Sequence, residues 1–392
     1  MKVARCLRAA LTHHWLPAAL ALLVLLLCAP ALRGGFQLDD HFQRYTMLGH
    51  AGPPIQLFVF ANGDVARNRQ AMDEGWLPWW ASPRFRHASL RYLSVLSMQL
   101  DYLLWPERPE WMHLHSLLWL AALVVAAAYF YRAILGATWS AGLAALLYAA
   151  DDAHARPAAY LANRNALIAT FFGVLAVACF ARRRAQDDRL SWGSAALLAL
   201  GLAAGEMALS AAGFLIAYSI FLDRGRASRR LRALAPQALV LGAWALAYRL
   251  GGFGATDSGF YREPLAAPLA YARAALEHIP VLLMGQWTPI PSDIASGVPA
   301  GSDAARSLQA IGMATIAVLA FLFAPLVRRD RIARFFALGT ALALLPIAAA
   351  PAMPSAARRM RGSRASSWKR RWRGERFISG SGGSERKGKR PR

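Results

Sequence analysis

Apolar runs near the twenty residues needed to cross a bilayer recur along this chain, and they restrict its fold more than any other feature. They cover about residues 15–32, 112–131, 138–150, 161–180, 235–250, 308–327 and 332–350, with a longer run at 190–222. Inside a bilayer no water pairs with backbone groups, and an open sheet would leave its edges unsatisfied. The expectation is an all-α polytopic membrane protein, a helical bundle with a long first external loop at 34–111. A hydrophobic content of 56% and a mean hydropathy of +0.29 agree with it.

The formal charge of +23 is unevenly spread. Residues 356–392 hold fourteen Lys/Arg against two Glu, or +12, about half of the excess. Many of the remaining arginines flank apolar runs, as the bias toward basic cytoplasmic loops produces. The basic character therefore points to membrane lipid and to no nucleic-acid partner. Residues 1–355 read as one multispanning domain, with a second external region at 251–307. The segment 356–392 has almost no aliphatic residues and reads as a disordered basic tail. Its abrupt change of character fits a shifted reading frame or truncation, so it is given no function. Cys6, Cys28 and Cys179 have neither metal-ligand spacing nor the pattern of a disulfide framework.

Charges on the flanks set the topology. Lys2, Arg5 and Arg8 place the N-terminus in the cytoplasm, with 15–32 as a retained anchor; a cleavable signal peptide ending near Ala29-Pro-Ala31 is the alternative. Both export Asp39 and Asp40. Trp76, Trp79, Trp80, Trp105 and Trp111 suit the headgroup level, so the first loop should carry short helices along the outer surface. The run at 161–180 ends at Ala181-Arg-Arg-Arg184, hence inside, which puts Asp151, Asp152, His154 and Arg156 on the same outer face as Asp39 and Asp40. The run at 190–222 has arginine-rich flanks on both sides. It predicts two short helices bending near Gly201-Leu-Ala-Ala-Gly205 with Glu206 at the bend; one long tilted helix is the alternative. Parity makes 273–287, interrupted by Arg273, Glu277, His278 and Pro280, a surface-lying or re-entrant helix.

Ionisable groups close to a bilayer are costly and mark functional candidates. Asp39 and Asp40 follow the first apolar run directly; the plainer reading is that they end a helix at the water interface. Asp151 and Asp152 read as carboxylates facing the positive N-terminal end of the 161–180 helix. With Glu206 they also offer hard oxygen ligands for Mg²⁺ or Mn²⁺, a possible divalent cation with no metal assigned.

Arg91-Tyr-Leu-Ser94, continued by Gln99-Leu-Asp-Tyr-Leu-Leu104 and Trp111-Met-His113-Leu-His-Ser116, resembles the RPLS…LNYLL…YHLxN stretch of Tmtc-like and related bacterial multispanning glycosyltransferases. Asp39-Asp40 matches that family's paired acidic motif. The stretch from Asp151 through Arg164 to Ile168 is similar to its HPxHxEAVAWIxxRxxLL element, and Gly205-Glu206-Met-Ala-Leu209 to its SKExxL element. The likeness covers about residues 15–350 in preserved order. It departs where Asp151-Asp152 replaces His-Pro, Arg156 replaces Glu, Ser116 replaces Asn and Gly205 replaces Lys, and no repeat of about 34 residues follows.

The resemblance implies the GT-C fold and transfer of a sugar from a polyprenyl-phosphate donor to a protein or envelope-glycan acceptor. The active site would face the periplasm from a bacterial inner membrane. It implies Asp39 or Asp40 as the base that takes the acceptor's proton. Arg91, His154, Arg156 and Arg164 are the candidates for the donor phosphate, with Asp151, Asp152 and Glu206 as acids of the cavity. A lipid-linked sugar transporter or flippase and an inactive membrane scaffold are the alternatives.

Overall fold

The computed structural model describes residues 2–186, 190–257, 261, 264, 267–299 and 301–349. The basic tail, 356–392, lies outside the described residues. In chain order the elements are α1 (Lys2–Thr12), α2 (Leu16–Leu27), α3 (Asp39–Met47), β1 (Val59–Asn62), α4 (Val65–Asp73), β2 (Arg86–Ala88), α5 (Tyr92–Leu104) and α6 (Pro109–Leu135). There follow α7 (Trp139–Ala149), α8 (Ala155–Ala159), α9 (Arg164–Gln186), α10 (Trp192–Ala204), α11 (Ser210–Phe221), α12 (Ala227–Ala233) and α13 (Ala235–Leu250). The last are β3 (Gly254–Thr256), α14 (Pro268–Trp287), α15 (Asp303–Arg329) and α16 (Arg331–Ala348).

Among the described residues four helical segments are long and apolar enough to cross a membrane: Pro109–Leu135, Leu161–Gln186, Asp303–Arg329 and Arg331–Ala348. Two bent pairs, α1 with α2 at 90° and α12 with α13 at 45°, raise the number to six. Two expected spans are shorter than the apolar pattern suggests. The first stops at Leu27, because Ala29–Arg33 is a tighter 3₁₀ turn with Pro30 at its start, and proline has no N–H to continue a helix. The 138–150 run forms α7 of 11 residues, about 16 Å at 1.5 Å per residue, roughly half the hydrocarbon thickness.

The 190–222 run forms two helices, as its length and flanks required. Ser194 on α10 donates to the Ala176 carbonyl of α9, and Gly201 packs on Ala169, so α10 runs antiparallel to α9. Tyr218 on α11 donates to the Ala181 carbonyl, while Ala211 lies against Gly173, so α11 runs back beside it. Glu206 opens the 3₁₀ turn between them. The 273–287 stretch lies within α14, which is not among the helices long and apolar enough to cross a membrane. Helix α14 runs alongside α15 in the same direction, with Leu276 opposite Gln309 and Trp287 opposite Phe323. The chain then folds back, bringing Ser292 against Gly285 and Ala295 against Val281 and Met284.

One core cluster joins α6, α9, α10, α11 and α16 around Phe130, Phe180, Leu198, Leu202, Leu215 and Phe335. A second joins α2, α6 and α7 around Leu20, Val24, Leu117, Leu120 and Val124. Small residues let backbones approach where helices in lipid gain little from hydrophobic burial. A Cβ at Gly213 would meet the Leu342 backbone, and one at Gly339 the Phe214 ring. The loops hold a feature absent from the sequence reading: β1, β2 and β3 form a three-stranded antiparallel sheet. It ties the long loop between α3 and α5 to the segment after α13.

The bundle has two unlike ends. The N-termini of α6 and α9 meet at one, with the long loops above them; Arg132, Arg184, Asp223 and Arg230 mark the other.

Candidate functional site

At the loop end the chain enters α3 through Leu38, whose φ of 41° and ψ of −112° no ordinary side chain prefers. Backbone held in such a region costs about 1–3 kcal/mol and needs surrounding contacts to persist. Those contacts come from the two aspartates that follow.

Asp40 is 1% exposed, and both of its oxygens are engaged. Oδ1 accepts the Ala162 N–H at 2.7 Å and Oδ2 accepts the Gln37 N–H at 3.0 Å. Burial pushes its carboxyl above the usual range, against the opposing pull of these N–H groups and of nearby His113. Asp40 therefore clips the first loop onto the entry of α9. Asp39 is exposed, and its backbone N–H donates to the Tyr160 hydroxyl at 3.1 Å. Burial, and after it the hydrogen bond with the Asp39 carboxylate, raise the Tyr160 phenol. Of the two adjacent acids, one is a structural pin and the other faces outward.

Ser94 donates to the Ala204 carbonyl at 2.7 Å, fixing the start of α5 against the end of α10. That contact sets Arg91, just before α5, opposite Glu206, just after α10. Arg91 Nε donates to Glu206 Oε2 at 2.8 Å, and Tyr248 from the end of α13 donates to Oε1 at 3.3 Å. The guanidinium lies 5.2 Å from the centre of the Phe58 ring. Among the described residues the two Nη amines of Arg91 have no hydrogen-bond partner. His87, on β2, sits among the rings of Phe60, Phe85 and Tyr261. Its imidazole is held below its ordinary value by burial first and the Arg91 charge second, against the fields of Glu206 and Asp39. Asp39, His87, Arg91 and Glu206 thus share one electrostatic neighbourhood, assembled from loop, sheet and helix ends.

Arg164 has another place. It is 1% exposed and commits its guanidinium to the bundle: Nε to Ser116 Oγ at 2.9 Å, Nη2 to the Met112 carbonyl at 2.7 Å, and Nη1 in an ion pair with Asp101. Asp101, itself 1% exposed, also meets His115 Nδ1 at 2.6 Å. Trp119 Nε1–H donates to His115 Nε2 at 3.0 Å, so the imidazole proton sits on Nδ1 and points at Asp101. Arg164 is therefore framework, buried with each of its three guanidinium nitrogens already engaged inside the bundle. His154 is similarly engaged, its Nε2 on the Tyr148 carbonyl at 2.7 Å. Arg156 is exposed on α8 and holds contacts of its own.

Asp151 caps its own 3₁₀ turn by accepting the Ala153 N–H at 2.9 Å, with Asp152 exposed beside it. The terminus it serves precedes α8, so it does not cap α9 as the sequence suggested. Its electrostatic neighbours are Tyr131 and Tyr148, whereas Asp39 acts on Tyr160 and His87. Asp151, Asp152 and Glu206 do not gather into a ligand set: among the described residues no three His, Cys, Asp or Glu side chains do.

His87, Phe58, Tyr248, Asp101 and His115 escaped the sequence reading. Asp101, an acid inside the apolar pattern of α5, and the His115-x-x-x-Trp119 spacing were usable signals. His87 and Tyr248 had none, because only the sheet and the end of α13 bring them to Arg91.

No family model, curated protein or solved structure matches the chain.

Proposed function

We propose that the chain is a membrane glycosyltransferase that moves a sugar from a polyprenyl-phosphate donor to a hydroxyl of a protein or envelope glycan at the loop end of the bundle. The observation that carries this reading is Arg91. Its Nε is held by Glu206, its face rests on Phe58, its Nη amines have no partner among the described residues, and Asp39 and His87 lie in the same field. A guanidinium oriented through one nitrogen presents the remaining fork to phosphate oxygens.

In this reading the acceptor oxygen bonds to the anomeric carbon as the bond from that carbon to the phosphate oxygen breaks. Asp39 takes the acceptor's proton. Arg91 stabilises the charge that collects on the departing polyprenyl phosphate. Asp40 and Tyr160 hold Asp39 in position, and Glu206 and Tyr248 hold Arg91. The resemblance of residues 15–350 to the Tmtc-like enzymes supports the same assignment and suggests a bacterial inner membrane with the loop end facing the periplasm.

The test is the full chain in lipid nanodiscs, given radiolabelled polyprenyl-phosphate sugar and an envelope-glycan acceptor. Asp39→Asn should lower transfer by about 10²–10⁴-fold, and Arg91→Ala should lower it while Arg91→Lys restores part. Undiminished transfer by both Asp39→Asn and Arg91→Ala would refute the site. In proteoliposomes, label crossing the bilayer without transfer identifies a flippase, and neither event leaves a scaffold.

A further inference from the structure

We propose that α1 is a membrane-surface helix that docks on the anionic headgroups of the leaflet at the arginine-rich end of the bundle. This rests on observations separate from the loop-end site. Helix α1 meets α2 at 90°, so when α2 stands along the membrane normal α1 lies in the membrane plane. It is held there: Leu11 is buried against α7, a Cβ at Gly142 would overlap the Leu11 carbonyl, and Arg132 Nη2 donates to the His13 carbonyl at 2.6 Å.

At helical spacing Cys6, Leu7 and Ala10 form one stripe, while Arg5 and Arg8 lie on the other side. No described residue covers the apolar stripe, with Leu7 57% exposed. A basic amphipathic helix with its apolar side open is the pattern of a helix seated at the boundary between headgroups and acyl chains. Trp15 and Trp139 flank the elbow, both exposed, and the Arg8 guanidinium lies 5.7 Å from the Trp139 ring centre. Indoles favour this depth, and arginines beside them attract anionic lipid. The second elbow repeats the arrangement at the same end: α12, bent 45° from α13, carries Arg229, Arg230 and Arg232 around an exposed Leu231.

The test places an environment-sensitive fluorophore on Cys6 of the full chain in a Cys28→Ala, Cys179→Ala background. The protein is reconstituted in nanodiscs of phosphatidylcholine alone or with one-third phosphatidylglycerol. Protection of the fluorophore from acrylamide should rise roughly threefold with the anionic lipid, and lipids brominated near the headgroup should quench it. Arg5→Glu with Arg8→Glu should abolish the difference between the two discs, while Arg69→Glu, exposed in the first loop, should leave it unchanged. Equal acrylamide access in both discs, insensitivity to the Arg5 and Arg8 reversals, or a purified chain beginning after Ala31 would each overturn the proposal.

Discussion

Removing the Asp101 carboxylate tests the most consequential packing feature of the bundle. Arg164 and Asp101 are each 1% exposed, and the guanidinium also engages Ser116 and the Met112 carbonyl. Asp101→Ala leaves a buried guanidinium without its counter-charge and strips His115 Nδ1 of its acceptor. Breaking a buried pair from one side costs about 3–5 kcal/mol, whereas replacing both members by apolar groups of similar volume is near neutral. At about 2–4 °C per kcal/mol, the scale for domains of roughly 150–250 residues and an upper bound for this longer chain, the single change should lower the unfolding temperature by at most roughly 6–20 °C. Asp101→Leu combined with Arg164→Met should recover most of it. The intrinsic fluorescence of the thirteen tryptophans, followed during heating in detergent, reports the transition. A single variant within about 2 °C of the parent, or a double variant no better than the single, would refute the framework role and return Arg164 to the ligand-facing set.

Two further outcomes follow from the loop end. The imidazole of His87 is held below its ordinary value, so the unfolded chain takes up that proton first. The corresponding stability is complete above the usual histidine value of about 6.5 and is lost as pH falls below it. Unfolding temperatures between pH 7 and pH 5 should show this loss, and His87→Phe should flatten it. Leu38 is 81% exposed, so Leu38→Gly sacrifices almost no packing while relieving a positive φ. Its strain of about 1–3 kcal/mol exceeds the extra chain entropy of glycine, about 0.5–1 kcal/mol. The variant should unfold a few degrees higher and, in the proposed reaction, slow transfer through a looser Asp39; a lower unfolding temperature would show that Leu38 is unstrained.

Much of the bundle was legible because long apolar runs leave a backbone few choices besides the helix. Residue types alone set the apolar runs and the arginines at their ends, and favoured paired helices over one long helix at 190–222. Asp39, Asp40 and Glu206 stood out by their chemistry, and Arg91 through the resemblance. Their division of labour did not. Whether an acid is a pin or faces outward depends on which backbone N–H groups reach it, and Asp40 meets Ala162 across 122 positions of chain. Likewise Arg91 finds Glu206 across 115 positions, and Arg164 is spent on Asp101 rather than offered to a ligand. Hydropathy along the chain records where long apolar helix is favoured and where charge interrupts it, so the sequence by itself determined most of the long helical segments and the charges at their ends. Only the tertiary structure decided which charge meets which, because that depends on directions and distances between segments remote in sequence.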